Sequence, residues 1–262
     1  MIQITTAQWY AWIAAFMFPF LRIFGLILAE PLLGNRVVPV AAKVGLALFV
    51  TLMLAPLLPL MPSVEPASAA GVLIGAQQLL IGLSMGFCIR IALTAAETAG
   101  QLAGLQMGLG FAVFFDPQSQ AQTAVVGQFL GLFAILVFLS LNGHYVVLSA
   151  LVESFRALPI SSEPVSALGL RALVEWGGAI FSAGLLISLP VVAALLIANI
   201  AVGIMTRAAP QLNIFAVGFP VTLTTGFVAL YLATPFIGPA LEGLFEQAVL
   251  AMGRVVEGFA AR

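Results

Sequence analysis

The sequence predicts an all-α, membrane-embedded protein. Of its 262 residues, 62% are hydrophobic and 7% are charged, whereas roughly 25% of the residues of a soluble domain are charged. So few charges cannot cover the surface of a water-soluble monomer of this size. The apolar residues form long continuous runs, while the strands of a membrane barrel alternate in polarity. Lipid or apolar protein must therefore surround most of this surface, and the surrounded elements are helices.

About six long apolar helices are expected, because roughly 20 apolar residues are needed to cross the hydrocarbon core of a bilayer. Clusters of proline and glycine separate the candidate segments. These segments are Trp9–Leu33, Val37–Met61, Gly71–Ala96, Ala124–Leu141, Ala179–Met205 and Leu212–Ile237. The last residues, Ala240–Arg262, are predicted to form an amphipathic helix that lies on the membrane surface or on a partner. No linker is polar enough to divide the chain, so residues 1–262 are taken as a single domain.

Charge, cysteine and histidine content exclude several classes of function. A net charge of −1 provides no basic surface for nucleic acid. The single cysteine, Cys88, and the single histidine, His144, cannot form a zinc or iron–sulfur motif, so no metal and no cofactor is predicted. Glu97 and Asp116 form no paired carboxylate motif, and His144 has no nucleophile near it in sequence. The chain is therefore predicted not to be an enzyme.

Charged residues inside apolar segments are candidate functional residues, because each costs about 2.5–3.5 kcal/mol at the centre of a bilayer on insertion scales. Arg22, Arg90 and Glu97 are of this kind, and we expect them to be buried against protein. Arg90 and Glu97 lie two helical turns apart, about 10 Å along the axis, which is too far for a direct pair. Lys43 lies near a segment end and is expected to extend towards the interface. A proton relay calls for a chain of Asp, Glu or His, of which Glu97 is nearly the sole member.

The stretch between Gln101 and Gln128 is unusual, because an apolar run lies among glutamines and glycines and ends in Asp-Pro. Glycine and Asp-Pro pairs are typical of loops. An apolar loop at membrane depth is costly unless it lines a cavity or is buried in protein. Two interpretations follow: a constriction that closes a pore by excluding water, or a buried helix–loop–helix corner. The candidate constriction residues are Met107, Gly108, Gly110, Phe111, Phe114, Phe115, Asp116 and Pro117.

A second unusual stretch runs from Arg207 to Pro220. Pro210 is predicted to end the preceding helix, and Arg207 in the last turn suits the negative end of the helix dipole. Gln211 and Asn213 can bond the backbone groups that such a break leaves free. The residues alone predict a broken helical hairpin.

Together the two stretches resemble the landmarks of the FliR family of flagellar export-gate proteins, whose virulence-system relatives are called SctT. The first landmark is similar to the run Gly110-Phe111-Ala112-Val113-Phe114-Phe115-Asp116-Pro117. The second has the spacing Arg-x-x-Pro-Gln-x-Asn-x-Phe-x-x-Gly-Phe-Pro. It falls on Arg207, Pro210, Gln211, Asn213, Phe215, Gly218, Phe219 and Pro220. The resemblance spans nearly the whole chain and favours the flagellar branch.

The resemblance implies a subunit of a hetero-oligomeric export gate in the bacterial inner membrane, at the flagellar basal body. It implies that residues 1–175 approximate a FliP-like part and residues 176–262 a FliQ-like part. The implied partners are FliP-type and FliQ-type gate subunits, the FlhB and FlhA export proteins, membrane lipid, and the unfolded flagellar proteins that are exported. The segment that matches Met107–Gln122 is the pore plug of the family, and the later landmark is taken as an assembly motif.

A secondary transporter for a small solute is the alternative. Transporters often pair broken helices around a midplane site. Pro190 with Asn199, and Pro210 with Gly218, fit that pattern in the second half of the chain, but the first half has no matching pair. A transporter should be stable alone or as a homo-oligomer, whereas a gate subunit should need unlike partners.

Replacing Arg207 or Asn213 with Ala is expected to impair assembly or secretion more than replacing Leu212 with Ala, because Leu212 offers no polar group to the broken helix. Recovery of the assembled complex and the amount of exported protein measure the effect. Equal tolerance at all three positions would remove the case for this motif.

Overall fold

The computed structural model describes residues 5–58, 64–111, 125–209, 211 and 214–261, and every regular element within them is helical. This confirms the predicted all-α class. The helices in this part of the chain are α1 Thr6–Ala29, α2 Val40–Leu54, α3 Ala69–Gln106, α4 Val125–Ser140, α5 Gly143–Ala157, α6 Leu168–Gly177, α7 Ala179–Ala208 and α8 Ile214–Ala260. Short 3-10 turns follow α2 and α3 at Ala55–Leu57 and Leu109–Phe111.

Four helical stretches of the described chain are long and apolar enough to cross a membrane, or up to five if α4 and α5 count together as one span. These four are Gln8–Ala29, Ala69–Gln106, Leu168–Ala208 and Val217–Ala260. The six predicted segments therefore correspond to fewer full-length spans. The second segment is the clearest difference, since α2 has only 15 residues. Pro39 precedes its first turn and Pro56 lies in the 3-10 turn that ends it, and proline cannot donate the backbone bond that would extend the helix.

The predicted amphipathic C-terminal segment is the second half of α8, which runs for 47 residues. Pro220, Pro235 and Pro239 lie inside α8 and do not end it. Its apolar stripe is buried within the chain itself, at Leu241, Leu244, Phe245, Ala248, Met252, Val255, Val256 and Phe259. The segment therefore packs on its own chain, which differs from both expected positions, the membrane surface and a partner.

The helices form two compact units that combine distant parts of the chain. Unit 1 contains Met1–Ile91, Asn142–Gly177 and Glu246–Arg262, and unit 2 contains Ala92–Leu141 and Gly178–Phe245. Helices α3 and α8 each contribute one part to unit 1 and the other part to unit 2. The expectation of a single domain with a boundary near residue 175 stays a prediction.

Glycines allow α1 and α3 to approach closely in unit 1. A Cβ added to Gly82 would overlap the backbone carbonyl of Arg22 on α1, and one added to Gly86 would lie 2.7 Å from the Cβ of Ala29. On α1 itself, a Cβ added to Gly25 would lie 2.6 Å from the carbonyl oxygen of Leu79. Small residues four apart are typical of helix pairs that pack tightly in membranes. Gly25, Gly82 and Gly86 therefore let the backbones of α1 and α3 approach closely.

Two charged residues organise the connection between α1 and α2. The Glu30 carboxylate follows α1 and accepts the backbone N–H groups of Leu32 and Leu33, at 3.0 and 2.7 Å. Burial raises the pKa of this carboxyl, and the two backbone hydrogen bonds oppose the rise. Lys43 is buried and donates to the Gly34 carbonyl at 2.9 Å. Its ammonium therefore bonds a loop carbonyl and does not extend to an interface as expected.

Replacing Gly82 with Ala is expected to lower the stability of the protein by about 1–3 kcal/mol, since an added methyl group would force two backbones apart. Replacing Gly45 on α2 with Ala is the matched control, because a Cβ there meets nothing within 4 Å and alanine has the higher helix propensity. Thermal unfolding of the purified protein in detergent measures both. An equal Tm for the two variants would show that α1 and α3 are not in such close contact.

Candidate functional site

The first landmark begins where α3 ends. The helix continues to Gln106, so Gln101 and Gly104 lie in α3 and not in a loop as expected. Packing explains the difference, since a Cβ added to Gly100 would lie 2.5 Å from the carbonyl of Val126 on α4, and such close contact outweighs the low helix propensity of glycine.

The chain leaves the helical path at Met107 and Gly108. Gly108 has a φ of 87°, a left-handed conformation that glycine adopts without a steric penalty. Gly110 and the backbone of Phe111 then form a 3-10 turn. The other predicted constriction residues, Phe114, Phe115, Asp116 and Pro117, lie outside the described residues.

Met107 is completely enclosed within unit 2. Its side chain packs against Gly226 on α8, where an added Cβ would overlap Cγ of Met107 and lie 2.8 Å from both Cε and Sδ. The hydroxyl of Thr222, one helical turn earlier, lies 3.2 Å from the Met107 carbonyl oxygen and 3.1 Å from that of Phe219 on its own helix. Sequence reasoning missed Thr222 and Gly226, because no local spacing indicates a partner 115 residues away.

An apolar groove of about 510 Å³ lies beside this turn in unit 2. Aromatic residues of two helices form much of its wall: Phe129 and Phe133 on α4, and Phe227 and Tyr231 on α8. Leu109 of the 3-10 turn completes one end. The described lining residues include no carboxylate, imidazole, thiol or amine, and the phenol of Tyr231 is their one ionisable group, so the groove is suited to hold apolar groups.

The second landmark lies between α7 and α8, both in unit 2. Arg207 occupies the last turn of α7, and the helix ends at Ala208, which confirms the predicted helix break before residue 210. Gln211 lies in a turn and is exposed. Pro210 and Asn213 lie outside the described residues, so the bonds expected of Asn213 stay a prediction.

The remaining residues of that landmark belong to α8. Gly218 is buried, whereas Phe219 and Pro220 are exposed. The side chain of Phe215 lies outside the described part of the chain. The exposed residues Phe219 and Pro220 are therefore available to contact lipid or another subunit.

Arg22 is a fully buried charge in unit 1, as predicted. Its guanidinium donates to Oε1 of Gln78 on α3 at 2.8 Å, and to the carbonyls of Ser154 and Leu158 at the end of α5 at 2.9 Å each. It also donates to the Ser154 hydroxyl at 3.2 Å and lies 4.3 Å from the centre of the Phe155 ring. We call Arg22, Gln78, Ser154, Phe155 and Leu158 the Arg22 cluster.

The charge of Arg22 is stabilised by dipoles. Two surface ion pairs lie elsewhere in unit 1, Arg156 with Glu153 and Arg171 with Glu175. Arg22 instead points at the carbonyl end of α5, where the helix dipole carries partial negative charge, and at the face of an aromatic ring. The planar guanidinium presents its N–H donors in a fixed fork that reaches acceptors on both helices, whereas the ammonium of lysine is a compact point charge without that geometry.

Arg90 and Glu97 differ from Arg22. Arg90 is exposed, which contradicts its predicted burial, because no described helix covers the face of α3 that also carries the exposed Phe87. Glu97 is half-buried. A Cβ added to Gly131 on α4 would lie 2.8 Å from Cγ of Glu97, so Glu97 packs at a close helix contact within unit 2.

A polar pocket of about 330 Å³ adjoins the Arg22 cluster in unit 1. It shares Gln78 and Leu158 with the cluster, and Ser161 and Glu163 add a hydroxyl and a carboxylate. Its described lining therefore holds one carboxylate and no second acid or base. In the described residues, no group of three His, Cys, Asp or Glu side chains is placed to hold a metal ion.

The fold and the two landmarks define a helical membrane protein whose distinctive residues lie where its helices end. Comparison with known families identifies the particular group, because residues 13–248 match the bacterial export proteins, family 1. The chain belongs to this family.

Several relatives of this chain carry the name flagellar biosynthetic protein FliR. The chain is 41% identical to that of Escherichia coli strain K12 over 247 residues, which is 94% of each chain. It is 45% identical to that of Pectobacterium carotovorum subsp. carotovorum over 237 residues, 90% of each. The relative in Bacillus subtilis strain 168 is 30% identical over 242 residues, 91% of this chain and 93% of its own.

Replacing Arg22 with Ala is expected to lower the stability by about 3 kcal/mol or more, because two buried oxygens, of Gln78 and Ser154, and the part-buried carbonyl of Leu158 lose a charged donor. Arg22→Lys should be intermediate, since it keeps the charge but not the planar geometry. The control is Arg171→Ala, whose exposed pair with Glu175 should contribute less than about 1 kcal/mol. Thermal unfolding in detergent separates the variants, and similar Tm values for Arg22→Ala and Arg171→Ala would contradict the role of the cluster.

Proposed function

We propose that this chain is a subunit of the flagellar type III protein export gate that helps to form the export pore and closes it with the segment that begins at Met107. The observation that carries this proposal is the match to flagellar biosynthetic proteins over 90% or more of the chain. That match covers both landmarks, so the proposal concerns the whole chain. The flagellar relatives also favour an export role over a solute transporter.

The end of α3 supports the proposed plug. A segment that closes a pore must start from a fixed point, and Met107 is enclosed and bonded to α8. Gly108 then directs the chain out of the helical path. The phenylalanines that follow in sequence, Phe111, Phe114 and Phe115, are apolar enough to exclude water from a narrow pore.

The surface supports assembly with other subunits. Large apolar side chains project from several helices, among them Phe181 on α7 at 75% exposed and Tyr231 on α8 at 78%. Exposed apolar area on this scale requires lipid or protein to cover it. We infer FliP-type and FliQ-type gate subunits as the neighbours, with FlhB and FlhA as further partners and unfolded flagellar proteins as the transported substrate. The proposed location is the inner membrane at the flagellar basal body.

We also propose that residues 1–175 act as the FliP-like part and residues 176–262 as the FliQ-like part.

The role of the chain is structural and not enzymatic in this proposal. Its support is the chemistry of the two cavities, since the one ionisable group among the described lining residues is the phenol of Tyr231 in the apolar groove and a carboxylate in the polar pocket. Neither arrangement provides the paired groups of general acid–base catalysis.

Deleting residues 108–115 is expected to leave the assembled complex leaky to ions, because the segment that excludes water is lost. Ion flux through the purified complex in vesicles, normalised to the amount of complex, measures the leak. The double variant Phe114→Ala and Phe115→Ala should leak less than the deletion but more than wild type. Arg171→Ala, which removes an exposed polar side chain from α6, is the control and should not leak. Unchanged conductance after the deletion counts against a plug.

A further inference from the structure

We propose that Thr222 is a positioning residue, which together with Gly226 holds the Met107–Gly108 turn on α8 and so determines where the plug segment starts. The inference rests on the proposed function, because the importance of this turn depends on the plug that follows it. Thr222 and Gly226 lie outside both landmarks.

The end of α3 creates the need for such a contact. The last carbonyls of a helix have no partner within the helix, and the Met107 residue is fully buried, so water does not supply one. The Thr222 hydroxyl lies 3.2 Å from the Met107 carbonyl oxygen. It shares its single proton between this oxygen and the carbonyl of Phe219. Without it, a buried carbonyl would lose its hydrogen bond, which is costly in an apolar interior.

Gly226 also contacts Met107, through packing against its side chain. Positions 222 and 226 lie one turn apart on the same face of α8. The missing side chain of Gly226 leaves the space that the thioether of Met107 occupies, as the overlap of an added Cβ with Cγ shows. One face of α8 thus holds both the carbonyl and the side chain of Met107.

Gly108 makes this contact important. Its φ of 87° is one of many conformations open to glycine, so the chain direction after α3 is not set by local sterics. Fixing Met107 on α8 restricts the point from which the next residues leave. Met107 belongs to the proposed FliP-like part and Thr222 to the FliQ-like part, so this hydroxyl couples the two parts at the base of the plug.

The test compares three substitutions in the assembled complex. Thr222→Val keeps the shape but removes the hydroxyl, and Thr222→Ser keeps the hydroxyl. Thr224→Val is the matched control, because the Thr224 hydroxyl bonds the Pro220 carbonyl of its own helix at 2.8 Å. The first readout is hydrogen exchange of the amides at Met107 and Gly108, which donate to Ala103 and Leu105. The second readout is the ion leak used for the deletion of residues 108–115.

Thr222→Val should raise both the amide exchange and the leak roughly two- to tenfold, as the loss of one buried hydrogen bond allows. Thr222→Ser and Thr224→Val should stay close to wild type, and all variants should assemble equally. Unchanged exchange in Thr222→Val would overturn the inference whatever the leak. So would a Thr222→Ser variant that behaves like Thr222→Val, since the hydroxyl would then not be the cause.

A second arm tests the packing at Gly226. Gly226→Ala should raise the exchange at Met107, whereas Gly238→Ala on the same helix should not, because a Cβ there meets nothing within 4 Å. In a Met107→Ala background, where the thioether is absent, Gly226→Ala should have little further effect. Effects that simply add in the double variant would contradict a direct contact.

The two readouts separate this inference from the proposed function. If the deletion leaks but Thr222→Val exchanges faster without leaking, the plug stands and the positioning role is wrong. If the deletion does not leak, the plug is wrong, and faster exchange in Thr222→Val still supports the contact that holds the turn.

Discussion

The structure depends on a constraint that follows from its composition: buried helix ends must find hydrogen-bond partners in a chain with few polar side chains. Water cannot reach an apolar interior, so every backbone group freed at a helix end needs a partner from the protein. Arg22 meets this need at the end of α5 and Thr222 at the end of α3. Glu30 accepts the N–H groups that follow α1, and Lys43 donates to a carbonyl of the same loop.

The same constraint explains why buried charges tolerate the absence of an ion pair. The Arg22 guanidinium bonds carbonyls, an amide and a hydroxyl, and the partial negative charges of these groups stabilise it. A neutral donor also bonds a backbone carbonyl in unit 1, where the indole N–H of Trp176 donates to the carbonyl of Cys88, inside α3, at 3.0 Å. Several of the few polar side chains therefore serve to bond the backbone.

Glycines lie on the helix faces that contact other helices of the chain, and large apolar residues lie on the faces that point outwards. Glycines such as Gly82 lie where two backbones of the chain approach, while residues such as Phe181 and Tyr231 project outwards. The internal contacts make each unit compact, and the external ones are suited to lipid or to unlike subunits. This division fits a protein that performs its role by assembly, with its distinctive segment starting at a point that α8 holds in place.

The sequence by itself determined the all-α membrane class, the family and the helix break after Arg207, because hydropathy, proline positions and short motifs are local properties of the chain. Local reasoning went wrong where packing outweighs propensity: α3 continues through Gly104, and α8 continues past Pro239, which lay between two predicted segments. Only the tertiary structure decided that Arg90 is exposed, and that Arg22 and Thr222 bond carbonyls more than a hundred residues away. The physical reason is that such bonds depend on which helix faces meet, and no spacing along one helix records that.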